Sequence, residues 1–156
     1  MKYTDAEIIA VIQKRLSANR FQHSLRVAEV ARRLAEQYRV DPGQAYTTGL
    51  LHDYAKGLSG QQLLDIAENH GLISHPVDRL VPDLLHGPVG AYLVQTELGL
   101  EDVNMLAAIA NHTLGALNMS PLEEIVFLAD MIEPGRDYPG LERLQCLTER
   151  SLEEGM

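Results

Sequence analysis

Helix-start signals recur along this chain closely enough to leave little room for a sheet. Thr4-Asp5-Ala6-Glu7 reads as a capping box, in which hydroxyl and carboxylate each satisfy a free N–H of the first turn. Ile8, Ile12 and Leu16 then follow at one-turn spacing and define a buried stripe. Asp41-Pro42 joins an N-cap residue to the proline favoured in a first helical position, and Ser59-Gly60-Gln61-Gln62 and Ser120-Pro121-Leu122-Glu123 repeat the box. No segment alternates apolar and polar residues over a useful length, so the fold class is expected to be all-α.

Between these signals the pattern places a helix carrying His23, with Leu25, Ala28, Ala31, Leu34 and Ala35 on its buried side. The helix opened by Asp41-Pro42 should carry the adjacent pair His52-Asp53 near its end and stop at Gly57. Asn69-His70-Gly71 reads as a helix terminus with glycine in the left-handed position, where the dipole favours His70 without any role in chemistry; His75, before Pro76, is likewise discounted. Three prolines between Ile73 and Pro88 mark a loop with one short helix, leading to His86. Helices are expected at about 89–98 and 102–113, and the one opened at Ser120 carries Asp130.

With 156 residues, 46% of them apolar, the chain can bury one sizeable core, and a single domain over 1–156 is expected. A formal charge of −9 opposes binding of a nucleic acid polymer, because most of that affinity comes from neutralised phosphates. Cys146 is alone, which excludes an intrachain disulfide and Cys-rich zinc scaffolds; it is expected to be a small, buried or half-buried apolar residue. No apolar run is long enough for a bilayer and no secretion signal opens the sequence, so a cytoplasmic location without membrane association is expected.

The chemistry concentrates in His23, His52-Asp53, His86, His112 and Asp130. Adjacent side chains on a helix point about 100° apart, so His52 and Asp53 reach one metal only from a helix end or from between their two directions. Asp53 and Asp130 both follow apolar helical residues, where an unpaired carboxylate is costly. Imidazole and carboxylate donors without thiolate favour a first-row ion such as iron, manganese or zinc. Lys56, Arg136 and Arg20 lie close in sequence to these residues and can neutralise phosphate oxygens.

The order His23, His52-Asp53, Asp130 resembles the HD phosphohydrolase superfamily, whose members are helical bundles with a metal among the helices. Arg20-Phe21-Gln22-His23-Ser24, Gly49-Leu50-Leu51-His52-Asp53-Tyr54-Ala55-Lys56, Leu85-His86-Gly87, Asn111-His112-Thr113-Leu114-Gly115 and Leu128 to Arg136 are similar to the bacterial HD-type symmetrical bis(nucleosyl)-tetraphosphatases. The resemblance implies hydrolysis of diadenosine tetraphosphate to two ADP, iron as the metal, and His23, His52, Asp53 and Asp130 as its ligands. His86 and His112 are left as ligands of a second ion bridged by Asp53, or as donors to substrate phosphate; the catalytic set is His52, Asp53 and Lys56, and Arg20, Lys56, His86, His112 and Arg136 contact substrate. Leu114 departs from the small polar residue typical of its block, and the sequence stops at Glu154-Gly155-Met156 where family members continue into another helical stretch. A homodimer is an allowed assembly. Alternative readings are an HD-type nucleotidase or phosphoesterase for another small nucleotide, a non-catalytic nucleotide sensor, and an acidic helical adaptor.

Overall fold

The computed structural model describes residues 3–156, and among them every regular element is a helix. In chain order these are α1 (Asp5–Arg15), α2 (Ala18–Tyr38), α3 (Pro42–Leu51), α4 (Gly60–Asn69) and α5 (Val77–Leu80); a 3₁₀ turn (Pro82–Leu85) precedes α6 (His86–Leu98), α7 (Val103–Asn111), α8 (Pro121–Ile132), α9 (Leu141–Arg150) and α10 (Leu152–Gly155). The all-α expectation holds. Capping boxes form at Thr4, Ser59 and Ser120, and Asp41 caps α3 through the N–H groups of Gly43 and Gln44. His70 is the C-cap of α4, followed by Gly71 at φ +67°.

Several boundaries differ from the sequence reading. α3 closes at Leu51, so His52 is its C-cap and Asp53 lies in the turns that run on toward Gly57. α6 begins at His86 rather than near residue 89; Pro88 is tolerated because first-turn N–H groups have no partner in the helix anyway. The buried side of α2 is wider than anticipated, with Val27 and Val30 inside and Leu25 only half-buried, and Cys146 on α9 is exposed. α9 and α10 lie beyond the last helix anticipated from the pattern.

α2, α3, α7 and α8 form the centre: α2 packs on α3 and α8, α7 on α8 and α6, and α3 touches both α7 and α8. One core runs through Ile12, Leu34, Leu50, Ile109, Ile125 and Leu128. Glycine sets two of these contacts. A Cβ on Gly49 would stand 2.7 Å from the Ala28 Cα, and one on Gly87 would strike the Ala110 carbonyl, so α3 lies directly on α2 and α6 on α7. No helix is long and apolar enough to cross a membrane among the described residues.

Candidate metal centre

These contacts bring four helix ends to one point. His52 and His112 are the C-caps of α3 and α7, His86 opens α6, and Asp130 lies in the last turn of α8; His23 enters from the first half of α2. All four imidazoles and Asp53 are buried, whereas the Asp130 side chain keeps 16% exposure and faces the way in. The C-terminal ends of α3, α7 and α8 add partial negative charge, which favours a cation.

The sequence builds the same local device three times. His52 Nδ1 lies 2.7 Å from the Gly49 carbonyl and His112 Nδ1 2.8 Å from the Ile109 carbonyl, each three residues back in the last turn of its helix. His86 Nδ1 meets the Asp83 carbonyl of the 3₁₀ turn in the same way. The Gly49 and Ile109 carbonyls stand in the last turns of their helices, and the Asp83 carbonyl takes the ring in addition to the His86 backbone N–H; because a carbonyl can only accept, each favours the proton on Nδ1 and turns Nε2 inward. His23, inside a helix, has Glu133 Oε1 3.1 Å from its Nδ1 instead.

The inward atoms converge. His23 Nε2 is 3.0 Å from Asp130 Oδ1 and 3.2 Å from His52 Nε2, and His52 Nε2 is 3.4 Å from Asp53 Oδ2. The other oxygen of Asp53 faces His86 Nε2 at 3.5 Å and His112 Nε2 at 3.7 Å, and those two nitrogens are 3.1 Å apart. Two overlapping ligand groups result, His23-His52-Asp130 and His52-Asp53-His112. Asp53 thus stands between two halves, one oxygen to each. Buried lone pairs and carboxylates at this spacing repel unless a cation lies among them. The protonation equilibria carry the same message. Burial alone would lower the His52 imidazole, but Asp53, Asp130 and the Gly49 carbonyl outweigh it and push it up to about 9, which marks this point as one that favours positive charge. Burial would raise Asp53, yet His52 and His112 drive it far below the usual carboxylate range; Asp130 is lowered likewise, by His23, His52 and Arg136. His86 is pushed down to about 4, mainly by burial.

Cations ring the opening. Arg20 reaches Asp53 Oδ2 at 2.9 Å, Arg136 is paired with the Asp130 carboxylate and carbonyl, and Lys56 Nζ is 2.7 Å from Asp83 Oδ2 and 3.4 Å from His86 Nδ1. A cleft of about 230 Å³ lies over His23 between Arg20, Arg26 and Arg136. A larger groove runs along α2 past Leu25, Val30 and Pro134 and contains none of the cluster.

Three participants were missed in the sequence. Glu133 is buried behind His23 and tied to Arg26 and the Gly135 N–H; Thr113 Oγ1 lies 3.0 Å from His86 Nε2 and 3.2 Å from His112 Nε2. Glu133 follows Asp130 by one turn, a spacing that was legible, while nothing local in sequence pairs Arg26 with it. His70 stacks on Tyr92, and His75 Nδ1 accepts the Val77 N–H; both have structural uses apart from the cluster.

The HD domain family model matches residues 20–135. The chain is 36% identical over 150 residues to the symmetrical bis(5'-nucleosyl)-tetraphosphatase of Bacillus subtilis (strain 168), covering 96% of this chain and 80% of that one. It is 37% identical over 133 residues to the protein of the same name from Staphylococcus aureus (strain NCTC 8325 / PS 47), covering 85% and 68%. A crystal structure from Clostridium acetobutylicum, described as a predicted HD superfamily hydrolase involved in NAD metabolism, superposes with a TM-score of 0.94 at 37% identity, over 98% of this chain and 81% of that one. His52-Asp53 and the histidines around it all lie within the matched span, and this chain belongs to the HD family, in the group that includes the symmetrical bis(5'-nucleosyl)-tetraphosphatases.

Proposed function

We propose that this protein is a metal-dependent hydrolase that cleaves diadenosine tetraphosphate between its two central phosphorus atoms, giving two ADP. The observation that carries the reading is the convergence of His23, His52, Asp53 and Asp130 at 3.0 to 3.9 Å, in a chain so similar to proteins named for this reaction. These four residues would hold the metal. His86 and His112, both with Nδ1 turned to a carbonyl, face the second oxygen of Asp53 and suit ligation of a second ion better than donation to phosphate. The donor set of imidazole nitrogen and carboxylate oxygen suits a first-row ion, and iron is the proposed metal, with manganese or zinc as the alternatives. Such an ion, when bound, acidifies water and polarises a phosphoryl oxygen.

The chain's own residues then bring the polyphosphate to that point. Lys56 and Arg136 flank the cluster on opposite halves, one beside His86 and the other on Asp130, so a phosphate chain crossing the opening meets a cation on each side. Arg20, bonded through one terminal nitrogen to Asp53 and 40% exposed, offers its remaining N–H groups as a third contact. Thr113 Oγ1 supplies a neutral hydrogen bond at the His86–His112 half. ADP is a good leaving group, so strong general-acid help is dispensable. The lone, exposed Cys146 is compatible with a reducing compartment, and a cytoplasmic site of action completes the proposal.

Hydrolysis in oxygen-18 water tests the reading. Two ADP should form with label in only one of them per turnover, alongside first-row metal in protein purified without added ions. Equimolar AMP and ATP would refute symmetrical cleavage. Tight ADP binding without turnover would make the protein a sensor.

A further inference from the structure

Three of the four inward histidines are oriented by neutral backbone carbonyls, and one by a buried carboxylate. His23 stands inside α2, where the carbonyls of its own turn are engaged in the helical ladder, so no spare one can take its Nδ1 proton. Glu133 fills that role from the C-cap of α8, one turn beyond Asp130. Its other oxygen is held by Arg26 Nε and by the Gly135 N–H, and Gly135 has no side chain because a Cβ there would collide with the Arg26 guanidinium. At 1% exposure the carboxylate has no water to screen it. Although Arg26 pairs with it, a carboxylate accepts the Nδ1 proton more strongly than a carbonyl dipole does, and so makes Nε2 the stronger metal donor.

We infer that Glu133 is a positioning residue that makes the His23-His52-Asp130 half of the cluster bind its metal more tightly than the His86-His112 half. The two halves share Asp53 but differ in what backs their histidines. On one side His23 is backed by a carboxylate and His52 by the Gly49 carbonyl, and Asp130 adds an anionic ligand; on the other both histidines are backed by carbonyls and no further carboxylate is added. The charges around the halves are paired, Arg26 and Arg136 with the first and Lys56 with Asp83 at the second, so the difference lies in the ligand and acceptor types themselves. The inference rests on the metal-cluster reading above and is independent of the nucleotide that is hydrolysed.

The test is a titration of metal-free protein with Mn²⁺, following the free ion by electron paramagnetic resonance and the melting temperature in parallel. E133Q keeps the volume and a hydrogen-bond acceptor while removing the charge. The tighter step should weaken by ~10- to 100-fold, the range for loss of a residue that orients a metal ligand, with the weaker step unchanged. Glu133→Asp should recover part of the loss, and His112→Ala should abolish only the weaker step. If the parent takes up a single ion, weakening of that step by E133Q supports the inference. An unchanged isotherm overturns it, and so does equal weakening of both steps in proportion to a lower melting temperature of the metal-free variant, which a merely structural role would give. No nucleotide enters the measurement, so a protein that fails to cleave diadenosine tetraphosphate still decides the question.

Discussion

Replacing Gly49 by Ala should damage the metal centre more than the fold. The new Cβ would lie 2.7 Å from the Ala28 Cα and 3.0 Å from the Ala28 nitrogen, backbone atoms that cannot rotate away. Restoring an ordinary 3.4 Å contact requires α3 and α2 to part by about 0.7 Å. Overpacking of this kind costs about 1–3 kcal/mol, and the better helix propensity of Ala returns about 0.5–1 kcal/mol, leaving a net loss of up to about 2.5 kcal/mol. In a chain of this length that lowers the melting temperature by up to roughly 10 °C. His52 is three residues along α3 and takes its Nδ1 partner from Gly49 itself, while His23 rides on α2, so the same movement separates two Nε2 atoms now 3.2 Å apart. Metal–ligand distances tolerate only about 0.2 Å. Metal affinity should therefore fall at least tenfold, as measured by titration of metal-free protein. Gly60→Ala is the control, since its Cβ would stand at an ordinary 3.5 Å from the Pro82 Cβ. A G49A protein that melts and binds metal like its parent would refute the idea that close helix contact fixes the ligand spacing.

Other substitutions separate holding the ion from handling the substrate. His52→Ala and Asp53→Ala should lose bound metal and activity together, along with the metal-dependent part of thermal stability, about 2.7 kcal/mol where free ion stands at a hundred times its Kd; metal content unchanged in both would exclude them as ligands. Lys56→Ala should retain metal and lose ~10- to 1,000-fold in turnover, as expected for a lost charge contact in the transition state; unaltered kcat would remove Lys56 from the mechanism. In metal-free protein His86 links folding to pH. Its folded value of about 4 lies below the ordinary 6.5, so its contribution is complete above pH 6.5 and disappears as pH falls toward 4, where the unfolded chain takes up a proton that the buried ring refuses. The loss approaches about 3 kcal/mol. Urea unfolding between pH 4 and 7 should show a shallower acid decline in His86→Gln, and identical slopes would disprove the linkage.

The helices were legible because their starts are written in local chemistry: each Ser, Thr or Asp cap needs only residues two or three positions away. Their ends were less so. α3 stops at Leu51 because the His52 ring takes the Gly49 carbonyl and the chain turns inward, a tertiary event without a breaker residue until Gly57. The width of the α2 buried face depends on two partners, α3 and α8, on different sides of one helix, which a single apolar stripe does not express. Within the site the histidines and aspartates were recognisable as residue types that chemistry needs. Glu133 and Thr113 lay inside recognised blocks, but what singles them out is a partner more than twenty residues away in sequence, His23 for one and His86 for the other.

Charge explains why a chain with a formal charge of −9 can handle a polyanion. Three carboxylates are gathered at the centre, Asp53, Asp130 and Glu133, and each is paired with one guanidinium, from Arg20, Arg136 and Arg26 respectively. The opening is thus close to neutral by itself and has little pull on phosphate. The exposed sides of the Arg20, Arg26 and Arg136 guanidinium groups would hold a polyphosphate most strongly once a divalent ion among the imidazoles added positive charge to a site whose acids are already balanced. Nucleotide affinity should therefore rise with bound metal, because each arginine at the opening already has one face committed to a carboxylate. Over longer distances the formal charge of −9 opposes a nucleic acid polymer, and screening would leave a short-range attraction for phosphate near His23 and Asp53.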